Sequence, residues 1–351
     1  MPTLKEAKAL TVTFLTPVSI GSLNGSDKEA DNVSSIKKLT RGTKTFPYVS
    51  SQALRRALRD QLGVLGFTLS EGRKGEGEKS PGITDCLPAK FIDDDLFGFM
   101  DASKQGRPPH KRTSPIRVAP LLAMDSYEGD LDFGTNYMAR DEGGNPNIFE
   151  TEIHGGLYRG TVLIELDAVG KNRQGEGISA SEPDKGWELE SKEKAARVIA
   201  LMTALQHLWS SGRQSRFLAD ISPKFVAAAT ITAKVPIFLE AVQRNEDGIC
   251  IPALREALAD AKSILVKYCF GARSGVFKGI VTEAEMKDHK SQVSKGETSE
   301  QKDNSSQGRT KEHESLGHQE TSANQETSFK FVTIGEAFET MQAWVKSHYG
   351  A

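Results

Sequence analysis

Residues 9–15 (ALTVTFL) alternate, with Leu10, Val12 and Phe14 on one side and Thr11 and Thr13 on the other. A period of two predicts a half-buried strand, closed by Pro17 and the loop around Gly21. Over 51–62 the period becomes helical. Ala53, Leu54, Ala57, Leu58, Gln61 and Leu62 share a face, Ser50 or Ser51 can supply the N-cap, and Gly63 a left-handed C-cap. Alternation returns in 157–167, with Tyr158, Val162, Ile164 and Leu166 opposite Arg159, Thr161, Glu165 and Asp167. A longer helix is expected at 191–210, capped by Ser191, striped by Ala195, Val198, Ile199, Met202, Leu205 and Trp209, and stopped at Gly212. His207 on that helix is read as packed. Residues 224–235 give another strand, with Phe225, Ala227, Ala229, Ile231 and Val235 on one side. This order predicts an α+β fold with a ferredoxin-like βαββαβ core.

Some segments break the pattern. Residues 64–150 carry Gly, Pro and charge clusters, and 168–190 form a Gly-rich excursion between a strand and the long helix. Both read as insertions, because long loops within a compact domain are unusual unless they serve a function. Residues 286–327 are poor in apolar side chains and rich in Ser, Gln, Glu, Lys and Asn, the composition of a disordered linker. The tail, 328–351, resumes helical spacing at Ile334, Ala337, Phe338, Met341 and Val345, and is expected to dock back as a C-terminal helix.

Charge changes the picture more than composition does. The 351 residues are 37% apolar with a net charge of −2, so nucleic-acid binding requires local segregation of charge. The polar loop 21–44 ends in Lys37, Lys38, Arg41 and Lys44, and the helix after it presents Arg55, Arg56 and Arg59. Arginine forks suit phosphate oxygens because two N–H groups bind at once. SSGRQSRF at 210–217 adds Arg213 and Arg216 on a turn. The 168–190 insertion holds Lys171, Arg173 and Lys185, with Trp187 able to stack on a base or to anchor the insertion. Asp93, Asp94 and Asp95 read as caps of a short helix, since consecutive residues do not converge on one ion. Cys86, Cys250 and Cys269 lack metal or disulfide spacing, and the seven histidines are scattered, so neither a metal nor another cofactor is expected. No apolar run reaches the roughly 18 residues of a membrane span, and a cytoplasmic protein with no membrane partner is expected.

The run PYVSSQALRRALRDQL with the loop before it resembles the signature of the DevR/Cst-type backbone subunit of CRISPR type I-B Cascade complexes, within the repeat-associated RNA-binding (RAMP) superfamily. DDDLFGFM at 93–100, RTSPIRVAPL at 112–121, FGTNYMARD at 133–141 and the run from Ile153 through Leu166 are similar to later blocks of that family. The resemblance implies an RRM-like palm at 8–63, 151–167 and 191–280, a finger insertion at 64–150 and a thumb at 168–190 carrying Lys171, Arg173, Lys185 and Trp187. It implies copies polymerising as a helical filament along CRISPR RNA, with other Cascade subunits, and presenting the guide to a target DNA strand. RNA contacts would fall to Lys37, Lys38, Arg41, Ser50, Gln52, Arg55, Arg56 and Arg59, with Arg213 and Arg216 behind them. A non-catalytic scaffold is expected. One alternative is a type III-like endoribonuclease using Asp27 or Asp31. Another is a regulatory protein, although no helix-turn-helix is visible.

Overall fold

The computed structural model describes residues 2–25, 33–72, 83–101, 110–136, 147–173, 186–209, 214–245, 248–278, 280 and 329–351. In chain order the elements are β1 (Ala9–Gly21), β2 (Val33–Ser34), β3 (Lys38–Arg41), β4 (Lys44–Val49), α1 (Ser51–Val64), α2 (Ile92–Phe97) and β5 (Phe99–Asp101). Next come β6 (His110–Arg112), β7 (Ile116–Val118), β8 (Leu121–Ala123), β9 (Asp130–Asn136), β10 (Asn147–Glu165) and α3 (Ser191–Gln206). The remainder is α4 (Gln214–Phe217), β11 (Phe225–Ile231), β12 (Arg244–Asn245), β13 (Gly248–Ile249), α5 (Ile251–Asp260), β14 (Leu265–Ala272), β15 (Phe331–Val332) and α6 (Ile334–Tyr349).

β1 lies at the middle of the main sheet, antiparallel to β10 on one side and to β11 on the other. β7 and β8 pair antiparallel with the far side of β10. With α1 between β1 and β7, and α3 between β10 and β11, the lateral order β11–β1–β10–β7/β8 is that of a ferredoxin-like βαββαβ unit. The expected α+β core is therefore present. Its second strand comes from Ile116–Val118 and Leu121–Ala123, inside the stretch read as a finger insertion. Those strands are three residues long, too short to show a period among the surrounding Pro and Arg.

Both faces of the sheet are buried. Leu10, Val12 and Phe14 of β1 join Tyr158, Val162, Ile164, Val226 and Ala228 beneath α1, α3 and α6. On the other face Leu15, Leu163, Phe225, Ala227 and Ala229 meet Phe238, Leu254, Phe270, Phe277 and Phe331. Phe270 sits at ring-centroid distances of 5.7 Å from Phe238 and 5.0 Å from Phe329. β1 is thus not the half-buried strand its alternation predicts. Thr11, Thr13 and Thr16 are buried, and the Thr13 and Thr161 hydroxyls pair at 2.9 Å across the ladder. A threonine on a covered face looks, by sequence period, the same as one facing water.

Local signals hold unevenly. Ser50 caps α1, its hydroxyl accepting from the Ala53 N–H at 3.3 Å, but the helix runs through Gly63 and closes at Leu65. α3 starts after Glu190 with no side-chain cap and ends at Gln206, which leaves His207 exposed instead of packed. α6 carries a capping box between Thr333 and Glu336. The linker expected at 286–327 lies outside the described residues.

The aspartate run has a structural role different from capping. Phe91, not an aspartate, is the N-cap of α2, and the three carboxylates reach three different neighbours. Asp93 accepts from Arg59 Nε at 2.9 Å and from the Ser70 N–H at 3.0 Å; Asp94 accepts from the Leu87 N–H at 2.8 Å. Asp95 is fully buried between Arg112 and Arg197, with Arg197 Nη1 at 2.8 Å, and it also accepts from the Gly170 N–H at 3.1 Å. Replacing Asp95 with Ala strands two buried guanidiniums and should cost about 3–5 kcal/mol. Urea unfolding should show this as a large midpoint shift, against about 0.5 kcal/mol or less for Arg56→Ala at the surface; equal small shifts would refute the structural role.

Candidate nucleic-acid interface

The basic segment 37–59 folds into two elements that treat their cations differently. Read as a loop, 21–44 in fact contains the β3–β4 hairpin, closed by Gly42-Thr43. Gly42 has φ +60, a conformation that other residues adopt only with strain. At the base of the hairpin, Lys38 Nζ binds Glu152 at 2.6 Å and lies 4.6 Å from the Tyr127 ring centroid. At the tip, Arg41 and Lys44 are exposed, with Arg41 5.9 Å from the Phe46 ring centroid. Lys37 is half-buried, and its backbone N–H donates to Asn24 O at 2.9 Å.

α1 does not present one arginine face. Arg55 turns inward and donates to Ile116 O at 2.9 Å, to Ser114 Oγ at 3.2 Å and to Phe97 O. Burial draws its pKa below the ordinary arginine value. Arg59 binds Asp93 and donates to Ser70 O at 2.6 Å. Only Arg56 of the three keeps most of its side chain exposed, 66%, with Asp60 one turn on at 2.8 Å. Gln52 shares its exposed face, whereas Ser50 is spent on the helix cap. Arg55 and Arg59, expected at the RNA surface, are tied into the fold in this structure: Arg55 donates to two carbonyls and the Ser114 hydroxyl, and Arg59 to a carbonyl and the Asp93 carboxylate.

The other expected contacts also separate. Arg216 pairs with Asp132 and donates to Thr151 at 3.2 Å, between Phe149 and Phe217 with centroids 4.9 and 5.2 Å away. Trp187 lies 4.9 Å from Arg112 and its carbonyl accepts from the Asn172 N–H at 2.9 Å, so it closes the base of the 168–190 excursion. Arg173 is held by Glu165, and Lys171 bridges to Glu188 through the backbone. Arg213, Lys185, Asp27 and Asp31 lie outside the described residues.

A groove opens where β1 leaves its regular pairing. The register between β1 and β10 shifts between Val18 and Gly21, and β10 answers with Gly155-Gly156. A Cβ on Gly155 would stand 2.3 Å from Ser19 O, and Gly156 has φ +150. Two adjoining hollows of about 670 and 710 Å³ meet here, sharing Asp125 and Gly156. Lys44, Arg244 and Lys278 are its cations. Asp125 is committed, accepting from the Leu157 N–H at 3.0 Å and from Arg244 at 2.8 Å. His154 lines the wall, buried, with no hydrogen-bond partner at Nε2. Burial pushes its pKa down, and the carboxylates of Asp125 and Glu128 only partly oppose that.

Exposed cations, open backbone and a concave wall suit a polyanion gripped without reading its sequence. Among the described residues no group of His, Cys, Asp or Glu is placed to hold a metal ion, and no helix is long and apolar enough to cross a membrane. Periodicity missed Arg244, Lys278 and His154. HGGLYRG carried the available signal, since paired glycines inside a strand mark a bulge or a close backbone approach.

Known proteins show what this chain resembles. The sequence pattern described as "CRISPR-associated negative auto-regulator DevR/Csa2" matches residues 12–247. "CRISPR-associated protein Cas7/Cst2/DevR" of Myxococcus xanthus (strain DK1622) is 24% identical over 261 residues, 69% of this chain and 78% of that protein. A chain of a "CRISPR RNA-guided surveillance complex, pre-nicking" superposes with a TM-score of 0.49 at 14% identity, covering 76% of this chain and 93% of its own. A chain of a "CRISPR RNA-guided surveillance complex" gives 0.46 at 14% identity, covering 81% and 99%.

The depressed His154 pKa sets a pH dependence. The unfolded chain binds the proton at an ordinary value of about 6.5, more readily than the folded chain does. Stability should therefore fall as pH drops through about 6.5 and continue to fall until the lower folded value is passed. Urea midpoints at pH 7.5 and 5.5 should differ less in His154→Gln than in the wild type; an equal difference would mean that another group is responsible.

Proposed function

Since this chain belongs to the DevR/Csa2 family of CRISPR-associated proteins, we propose that it binds CRISPR RNA as a backbone subunit of a type I-B Cascade complex. In this reading several copies polymerise along the guide in the cytoplasm, beside other Cascade subunits, and present it for pairing with a target DNA strand. The observation that carries it is the groove at the β1 bulge, where Lys44, Arg244 and Lys278 border exposed backbone at Gly155-Gly156.

Guides differ in sequence, so the subunit must hold phosphates and leave base edges free for pairing. Arg41 and Lys44 at the hairpin tip and Lys278 across the groove do this as charges. Gln52 and Arg56 extend the surface along α1. The covered second face of the sheet speaks against the common RRM mode, in which bases stack on sheet aromatics; in this reading the guide is held at the sheet end instead. The 168–190 excursion, footed on Arg112 and Trp187, serves as the thumb that reaches a neighbouring copy. A head-to-tail contact of this kind that does not close generates a helix.

The scaffold is proposed to be non-catalytic. The test is RNA binding by fluorescence anisotropy between about 50 and 300 mM salt. Removing Arg41, Lys44 and Lys278 together should weaken binding at least tenfold and lower the salt slope by about two, at roughly 0.7 per lost single-strand phosphate contact. An unchanged slope would remove the groove from the RNA track. Magnesium-dependent cutting of a complementary RNA, lost in Asp27→Ala or Asp31→Ala, would replace the scaffold with a ribonuclease.

A further inference from the structure

A second concentration of positive charge lies at the opposite end of the central strand. Ala9 pairs with Glu165 at one end of β1, and Gly21 with His154 at the other. Twelve residues at about 3.3 Å separate the two ends by ~40 Å. At the Ala9 end the Glu165 carboxylate is buried, and three cations converge on it. Arg117 is at 2.6 Å, Lys234 at 2.9 Å, and Arg173 is also bound. Burial acts to raise the Glu165 pKa, but hydrogen bonds from Lys234, Arg117 and Arg173 together hold it below the usual carboxylate value. Lys234 also binds Asp167 at 2.7 Å.

Asp167 is in turn part of the wall of a cleft of about 550 Å³ at the foot of α6, lined by Lys5, Lys8, Lys171, Lys194 and His348. Its carboxylates are already engaged. Glu6 closes the capping box on Thr3, accepting at 2.6 and 2.9 Å, and Asp167 holds Lys234. Lys194 is bound to Glu188. Lys5 and Lys8 are exposed, and Lys171 is half-buried. The band made by Lys5, Lys8, Lys171, Arg173, Arg117 and Lys234 holds six cations against Glu6, Glu165 and Asp167, a local charge of +3 in a chain whose total is −2.

We infer that this band is a second phosphodiester-binding surface, separate from the groove, that takes a single strand of nucleic acid other than the one the groove holds. Buried Glu165 fixes Arg117 and Lys234 in place while leaving 61% of the Arg117 side chain exposed. The charges therefore stand at the surface already ordered, which lowers the entropy lost on binding. The lysines of the cleft continue the same charge toward the N-terminus. The spacing of ~40 Å is several times the Debye length of about 8 Å at physiological salt, so neither surface adds to the other's attraction and each binds phosphates independently. Cations clustered at an open surface meet the outward-facing phosphates, so the class of ligand is the sugar–phosphate backbone of RNA or DNA.

This inference shares with the proposed function the premise of nucleic-acid binding, but its test is separate. The full chain carrying Lys44→Ala and Lys278→Ala is titrated with labelled 20-nucleotide single strands, one RNA and one DNA, across a salt series. It should retain salt-dependent binding. Adding Lys5→Ala, Lys8→Ala and Lys171→Ala should weaken that binding at least tenfold and cut the slope by about two. Whichever oligonucleotide responds more identifies the strand. Unchanged affinity on adding the three substitutions overturns the band, as does a groove variant that already binds neither strand. A partial fall in affinity from the groove substitutions, with salt-dependent binding retained, bears on the proposed function alone. Among the described residues no hydrogen bond or ion pair of the Lys5, Lys8 or Lys171 side chain holds the fold together, and a matching melting temperature checks that.

Discussion

The carboxylate of Asp95 is the point on which the architecture turns. Fully buried, it is held by Arg112 from β6, by Arg197 from α3 and by the backbone N–H of Gly170 at the exit of β10. Each guanidinium then reaches further. Arg197 takes the carbonyls of Pro88 and Ala89 at 2.7 and 2.9 Å, and Arg112 takes those of Ala168 and Lys171 at 3.1 and 2.9 Å. One anion thus fixes the approach to α2, the long helix and the foot of the 168–190 excursion. Desolvating three charges is costly, and the attraction repays it only when every remaining donor is satisfied. The carbonyls do that, so the same guanidiniums also pin irregular chain between the regular elements.

The same logic explains why the arginines of α1 misled the sequence reading. Arg55, Arg56 and Arg59 are equivalent by spacing. What separates them is neighbours more than thirty residues away in the chain: Phe97, Ile116 and Ser114 around Arg55, Asp93 beside Arg59. Local pattern does not encode partners that distant. It did encode the Ser50 cap, the apolar face of α1 and the presence, though not the ends, of three core strands, because those depend on residues close by in the chain. β7 and β8 were hidden for the opposite reason, since three residues between prolines have no measurable period.

Covering both sides of the sheet constrains function as well as stability. An open ferredoxin-like sheet offers a flat platform on which bases can stack. Here the phenylalanine cluster around Phe270 and the helix α5 occupy that platform. A nucleic acid would be left the sheet ends and edges, where strands stop and long cations reach outward. The bulge of β1 and its glycine pair form one such end, and the Glu165 cluster forms the other.

That division suits a polymer ligand better than a small molecule. Neither end encloses its contents; the groove and the cleft are open, and cations line both. Surfaces of this kind bind through many weak, salt-sensitive contacts spread along a chain, each worth little alone. A nucleic acid would multiply them by its length, and neighbouring copies in the proposed assembly would multiply them again. On the proposed function repetition would satisfy the physical requirement, since many shallow contacts along a polymer replace one deep pocket.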